Sequence, residues 1–145
     1  VRATELKLVP NTEENLSTYG GAMVGIRTKY KGLAMSQYNR SSLRDVSSPE
    51  FKKLMGNMAL LYREAAKKLT LIQVPEGLAE NHAALINNYA ANSQAMEALG
   101  DLSADPVKSL AALNTQAKNS LEEEDLFLKI QITLMANGII FGRGI

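Results

Sequence analysis

The most versatile side chain in this 145-residue sequence is its only histidine, His82. A histidine on an apolar helix face can bind a ligand, accept a proton, or hydrogen-bond to a neighbouring helix and fix its register. For His82 we favour the last of these roles. We predict His82, Tyr89 and Asn92 to be the polar members of a helix seam. They belong to a series that steps by three and four residues and so shares one face: Leu78, His82, Leu85, Tyr89, Asn92, Met96 and Leu99.

Motifs for catalysis or metal binding are absent around this histidine. The sequence has no cysteine, which excludes thiolate metal sites, cysteine nucleophiles and disulfides. Glu80 lies two residues before His82 rather than three, so the Glu-x-x-His motif of di-iron bundles is missing. The acidic run 122–125 lacks the alternating pattern of a calcium loop, and we interpret it as a solvated turn or the start of a last helix. We therefore predict no catalytic residue, no cofactor and no metal site.

Glycines form a second unusual pattern, in the predicted first helix. Gly21, Gly25 and Gly32 lie at helical spacing beside an apolar stripe, although each glycine in a helix costs about 1 kcal/mol relative to alanine. Because a face without side chains lets another backbone approach closely, we predict these three glycines to be helix-packing residues. The preferred partner is another helix of the same chain, and a second copy of the chain is the alternative.

Charge is divided unevenly between the two halves of the sequence. The net charge is +1, but residues 1–74 carry +6 and residues 75–145 carry −5. We expect basic helices to pack beside acidic ones within a single domain. A basic surface that binds nucleic acid is the alternative. It is not favoured, because the basic second helix lacks the interleaved aromatic residues of single-strand binders and the total charge is near zero.

Helix start signals divide the chain into four helical segments. Ser48-Pro49 and Asp105-Pro106 each place a capping residue before a proline at the first helical position. Asn11 is a good N-cap for the first helix. After an extended lead-in over residues 1–10, the predicted helices cover residues 12–39, 49–70, 76–99 and 106–137.

Four helices with short polar connections predict one all-α domain over residues 1–145, an antiparallel up-and-down four-helix bundle. If the segment from Asn119 to Asp125 breaks the last helix, a short fifth C-terminal helix results. No run of 18 apolar residues occurs, so we predict no membrane span within residues 1–145. The sequence begins with Val1 rather than methionine, which we interpret as a processed N-terminus or an excised domain.

Residues 74–113 resemble part of a group of bacterial helical domains. The order of their short motifs resembles that of uncharacterised helical domains in surface-anchored proteins of reduced-genome, candidate-phyla bacteria. These domains have no established activity, so no residue inherits a catalytic role. The resemblance implies an exported or cell-surface location, with an anchor upstream of the first residue. The motifs are Val74-Pro75, His82, Leu85-Ile86-Asn87, Ala98-Leu99, Asp105-Pro106-Val107-Lys108 and Leu110 to Leu113.

Together these patterns predict a non-catalytic helical bundle with a structural or protein-interaction role, which binds a protein partner or self-associates. The first alternative is a small-molecule carrier with its ligand between helices around His82, Tyr89 and Asn92, because bundle cores hold such sites. The second alternative is a nucleic-acid binder that uses the basic first half, and its affinity would fall steeply with salt.

Overall fold

Four α-helices make up most of the chain in this computed structural model, which describes residues 1–40, 45–102 and 104–140. Every predicted helix is present, and each begins and ends within three residues of its predicted bounds. The last helix runs unbroken through Asn119 and Asp125, so the described chain has no separate fifth helix. The predicted all-α four-helix fold is therefore confirmed. The helices are α1 (Glu13–Arg40), α2 (Pro49–Leu69), α3 (Ala79–Gly100) and α4 (Pro106–Ala136).

Two helices begin at the caps that the sequence predicts. The Ser48 hydroxyl oxygen accepts a hydrogen bond from the Phe51 backbone N–H at 3.1 Å. The Asp105 carboxylate accepts one from the Lys108 backbone N–H at 3.0 Å. Each bond satisfies a first-turn donor that has no partner inside its own helix, and this fixes the starts of α2 and α4.

The predicted cap of α1 is wrong by one residue. The Thr12 hydroxyl, not the Asn11 side chain, accepts a hydrogen bond from the first turn, donated by the Asn15 backbone N–H at 3.2 Å. The Asn11 side-chain oxygen Oδ1 instead accepts from the Gly77 backbone N–H at 3.0 Å. Asn11 thus links the start of α1 to the segment that precedes α3.

Two short strands join the N-terminal lead-in to the connection between α2 and α3. Strand β1 (Lys7–Val9) pairs in parallel with β2 (Gln73–Pro75), and Leu8 lies opposite Val74. Parallel strands need a crossover connection, and here α1 and α2 provide it. The predicted extended lead-in is only partly right, because Ala3–Glu5 form a 3-10 helix and the extended part is Lys7–Val9, which the β2 backbone holds in place.

Successive helices are antiparallel, and α3 lies between α2 and α4 along its whole length. Helix α1 rests mainly on α2 and β2, and it contacts α4 only narrowly. The main core lies around the N-terminal half of α1, and a smaller apolar cluster lies between α2 and α3 at the opposite end. The side chains most deeply buried in the main core are Tyr19, Met23, Leu69, Leu78, Leu85, Phe127, Ile130 and Leu134.

The uneven charge distribution is explained by pairing between the two halves. Arg27 and Lys31 on α1 both form ion pairs with Glu124 on α4. On α2, Arg63 pairs with Glu97 of α3. A further pair joins Lys52 to Asp101 at 2.7 Å. Each of these pairs joins a basic residue before position 75 to an acidic residue after it, so the predicted packing of basic beside acidic helices is confirmed.

The glycines of α1 do not pack against another helix of the chain. Gly21, Gly25 and Gly32 are exposed, and a Cβ atom built at any of them would have nothing within 4 Å. The prediction that they allow close helix approach within the chain is therefore wrong. The adjacent stripe of larger side chains, including Tyr19, Met23 and Tyr30, takes the core-facing position because it buries more apolar surface. Contact with a second copy stays a prediction.

Replacing Gly25 with alanine is expected to raise the free energy of unfolding by about 0.5–1 kcal/mol. Alanine has the higher helix propensity, and its Cβ would meet open space. Urea denaturation followed by circular dichroism measures the change. Gly138→Ala is the contrasting variant, because Gly138 has a φ of +79°, which alanine adopts only with strain, and the free energy of unfolding should fall. A destabilised Gly25→Ala variant would show that this face is covered by something in solution.

Candidate functional site

The three predicted seam residues are all buried on α3, but they do not form one site. His82 faces the start of α1 and the end of α2. Tyr89 faces the middle of α4, and Asn92 bonds to Asn88 on its own helix. The three residues are therefore positioned for three different contacts along the length of α3.

His82 links three helices through both of its ring nitrogens. Its Nε2 lies 3.0 Å from the Leu69 carbonyl oxygen, and its Nδ1 lies 3.0 Å from the Tyr19 hydroxyl. A carbonyl oxygen can only accept, so Nε2 carries the proton and donates while Nδ1 accepts from Tyr19. Burial lowers the pKa of His82, which keeps the ring neutral. Both nitrogens are occupied, and this geometry supports the structural role.

The asparagines of α3 connect it to α4. The Asn88 amide donates to the Asn119 carbonyl oxygen at 2.8 Å, and the Asn92 amide donates to the Asn88 side-chain oxygen at 3.1 Å. Next to them, the Ser93 hydroxyl donates to the Ala59 carbonyl oxygen of α2 at 2.9 Å. These bonds bring Asn92 into a buried polar strip that holds α3 in register with both neighbours.

A cavity of about 400 Å³ lies between the four helices, where the C-terminal half of α1 stands apart from α4. Its volume is within the range typical of small-molecule pockets. The exposed side chains of Lys31 and Glu124 mark the opening to solvent. Aromatic and aliphatic side chains form most of the wall, among them Tyr30, Met58, Leu61, Tyr62, Tyr89 and Leu121.

One hydrogen-bonded pair supplies the polar chemistry of this cavity. The Tyr89 hydroxyl donates to the Glu123 carboxylate at 2.8 Å, and the Tyr62 ring meets the Tyr89 ring edge to face with centroids 5.7 Å apart. Burial, and to a lesser degree the neighbouring Glu124 carboxylate, raises the pKa of Glu123. Burial also raises the pKa of Tyr89, so its hydroxyl keeps the proton that it donates. Glu123 is therefore a desolvated carboxylate in an aromatic wall.

Two basic residues flank this carboxylate on the α1 side. The Arg27 guanidinium pairs with Glu124 and stacks over the Phe127 ring, 4.3 Å from its centroid. Lys31 approaches the same Glu124 carboxylate at 4.0 Å. Among the described residues, neither forms an ion pair with Glu123. The rim of the cavity thus carries two positive charges and one negative charge, while its interior carries one carboxylate.

The cavity does not lie where the sequence predicted a carrier site. Of His82, Tyr89 and Asn92, only Tyr89 lines the cavity. Glu123 was missed because it belongs to the acidic run interpreted as a solvated turn. A signal was present in the sequence, since Asn119, Glu123, Phe127 and Ile130 step by three and four residues and share the buried side of α4.

The solvent side of α4 carries a row of apolar side chains, here called the α4 stripe, which is interrupted by the charged Glu124 and Asp125 between Leu121 and Leu128. It follows the three-four spacing of a helix seam over about 38 Å. Its leucine, isoleucine and methionine side chains are between 49% and 77% exposed. Exposed apolar surface of this extent marks an interaction site in soluble proteins. The stripe consists of Leu110, Leu113, Ala117, Leu121, Leu128, Ile132 and Met135.

Neither a metal site nor a membrane-spanning helix is found in the described part of the chain. Within residues 1–40, 45–102 and 104–140, no three histidine, aspartate or glutamate side chains are grouped so that they could hold a metal ion. No helix in the same ranges combines the length and apolar character needed to cross a membrane.

Comparison with known proteins adds no relative to this description. No protein family, no curated protein and no solved structure matches the chain.

Proposed function

We propose that this chain is a non-catalytic structural module that self-assembles through the α4 stripe. The observation that carries the proposal is the stripe itself, a helix face with the spacing of a coiled-coil seam that stays exposed among residues 1–40, 45–102 and 104–140. Association of two such faces would remove apolar surface from water at roughly 25 cal/mol per Å².

A second copy of the chain suits the stripe because the stripe can be complementary to itself. Leu121 lies near its midpoint, so antiparallel pairing of two α4 helices about a two-fold axis would bring both copies of Leu121 together. Glu124 is the charged residue at the stripe spacing, and it already pairs with Arg27 and Lys31 of its own chain. Two stripes can therefore meet without an unpaired charge between them.

The apolar surface continues beyond the helix at one end of the stripe. Leu110 and Leu113 also line a groove of about 570 Å³, whose other walls include Phe51 and Met55 of α2 and Leu99 of α3. The first turns of α4 thus contribute to a wider patch than one helix face. Such a patch would enlarge the area buried by the proposed assembly.

Light scattering across a concentration series tests the proposal. The wild-type mass is expected to rise from the monomer value of 15.8 kDa towards twice that value. Leu121→Glu should weaken the association at least tenfold, because an unpaired carboxylate in an apolar interface costs several kcal/mol. Circular dichroism should be unchanged, since Leu121 is 77% exposed in the single chain.

Leu60→Glu is the matched control. Leu60 is the same residue type, is 52% exposed, and lies on α2 outside the stripe. Its substitution should leave the association intact. A wild-type mass that stays at the monomer value at every concentration would overturn the proposal, and so would an equal effect of both substitutions.

A further inference from the structure

We propose that the cavity between the four helices binds a small organic cation, an ammonium group carried on an apolar body, with Glu123 as its counter-ion. This site adjoins the proposed self-assembly surface, because Ala117 and Leu121 belong to both, but Glu123 itself lies on the inner side of α4.

The carboxylate inside the cavity has no ion-pair contact among the described residues, and the charges of Arg27 and Lys31 offset only part of the effect of burial on its pKa. Glu123 is partly buried, and its hydrogen bond from Tyr89 is the single one described for its carboxylate. A carboxylate removed from water is costly unless it is paired, and the raised pKa of Glu123 reflects that cost. A bound ammonium group would supply the missing counter-charge together with hydrogen-bond donors.

The aromatic and aliphatic side chains that line the cavity fit both the charge and the apolar body of such a ligand. Tyr30, Tyr62 and Tyr89 line the cavity from α1, α2 and α3, and aromatic faces attract cations through their quadrupole. Between them, Met58, Leu61 and Ala65 give an apolar surface against which a hydrocarbon body can pack. Carboxylate and aromatic rings together favour a cation over a neutral ligand of the same shape.

The basic residues near the cavity do not make it an anion site. Arg27 is held over Phe127 and paired with Glu124, and Lys31 approaches that same carboxylate at the rim. An anionic ligand would have to break these pairs and would also meet the Glu123 charge. An ammonium ligand leaves the rim unchanged.

Titration calorimetry with three probes that share a 2-phenylethyl group tests the inference. The probes are 2-phenylethylammonium, the neutral 2-phenylethanol and the anionic 3-phenylpropanoate. The ammonium probe is expected to bind about tenfold or more tightly than the alcohol, and the carboxylate probe should not bind. The ammonium affinity should fall as the pH is lowered through the Glu123 pKa. The other titratable groups that face the cavity are Arg27, Tyr30, Lys31, Tyr62, Tyr89 and Glu124.

Glu123→Gln should reduce the ammonium affinity about tenfold or more and leave the alcohol affinity unchanged. Glu122→Gln is the matched control, because Glu122 is the exposed neighbour on the same helix and should have no effect. Ala34→Phe provides a second test from α1, since its ring would fill the cavity and should abolish binding of both the ammonium and the alcohol. Equal ammonium affinities in wild type and Glu123→Gln, or no saturable ammonium binding to wild type, would overturn the inference. Neither Glu123 nor Ala34 belongs to the α4 stripe, so failure here is distinguishable from failure of the proposed self-assembly.

Discussion

His82→Ala is expected to lower the free energy of unfolding by about 3–5 kcal/mol. The imidazole is fully buried, and its removal leaves the Tyr19 hydroxyl and the Leu69 carbonyl oxygen without their shared partner. An unsatisfied buried polar group costs about 1–3 kcal/mol, and the cavity left by the ring adds to that loss. Urea denaturation gives the difference from the midpoint and slope of the transition.

The pH dependence of this difference provides an independent check. Burial lowers the pKa of folded His82 below the ordinary value of 6.5, so below that value the unfolded chain binds a proton that the folded chain does not. The contribution of His82 to stability is thus fully present above pH 6.5 and is lost as the pH falls. Glu123 acts in the opposite sense, because its raised pKa favours the folded state as the pH falls. The effect of Glu123 cancels in the difference between the unfolding free energies of the wild type and the His82→Ala variant. This difference should become smaller as the pH falls. A loss below about 1 kcal/mol at neutral pH would contradict the role of His82 as a link between helices.

Ile130→Ala should destabilise the chain by about 2–5 kcal/mol. Ile130 is completely buried in the main core, where α4 faces the N-terminal half of α1, and alanine would leave a cavity among side chains that pack closely. Thermal denaturation should show a markedly lower midpoint, since a loss of this size is a large part of the stability of a small domain.

Ile132→Ala is the control, two residues further along the same helix. Ile132 is 56% exposed and belongs to the α4 stripe, so its substitution should change the unfolding free energy by less than about 0.5 kcal/mol. If the proposed self-assembly is correct, the same substitution should instead weaken the association. Comparable destabilisation by the two substitutions at a concentration where the chain is monomeric would show that α4 is oriented differently.

The helices could be predicted from the sequence because their signals are local. Ser48 and Asp105 act on backbone donors only three residues away, and each helix carries enough apolar residues at three-four spacing to be recognised. The pairing of basic with acidic helices followed from counting charges in the two halves. These features depend on neighbours in sequence or on overall composition.

The candidate site was harder to predict because its residues meet only in the folded chain. Tyr89 and Glu123 are 34 positions apart, and Tyr19 and His82 are 63 apart. The prediction that the α1 glycines pack against another helix of the chain was wrong for a related reason. Their helix carries two rows of residues at similar spacing, and only the packed structure decides which row faces the core. Gly25 faces solvent because the competing row contains Tyr19 and Met23.

The pairing of β1 with β2 has a consequence for the order in which the chain folds. Helices α2 and α3 pack extensively against their immediate successors, so those contacts close short loops and can form early. Pairing Leu8 with Val74 closes a loop that contains both α1 and α2, and its entropic cost must be met before the strand contributes any stability. We therefore expect the α2–α4 hairpins to fold first, and the first residues of the chain to dock last and complete the structure.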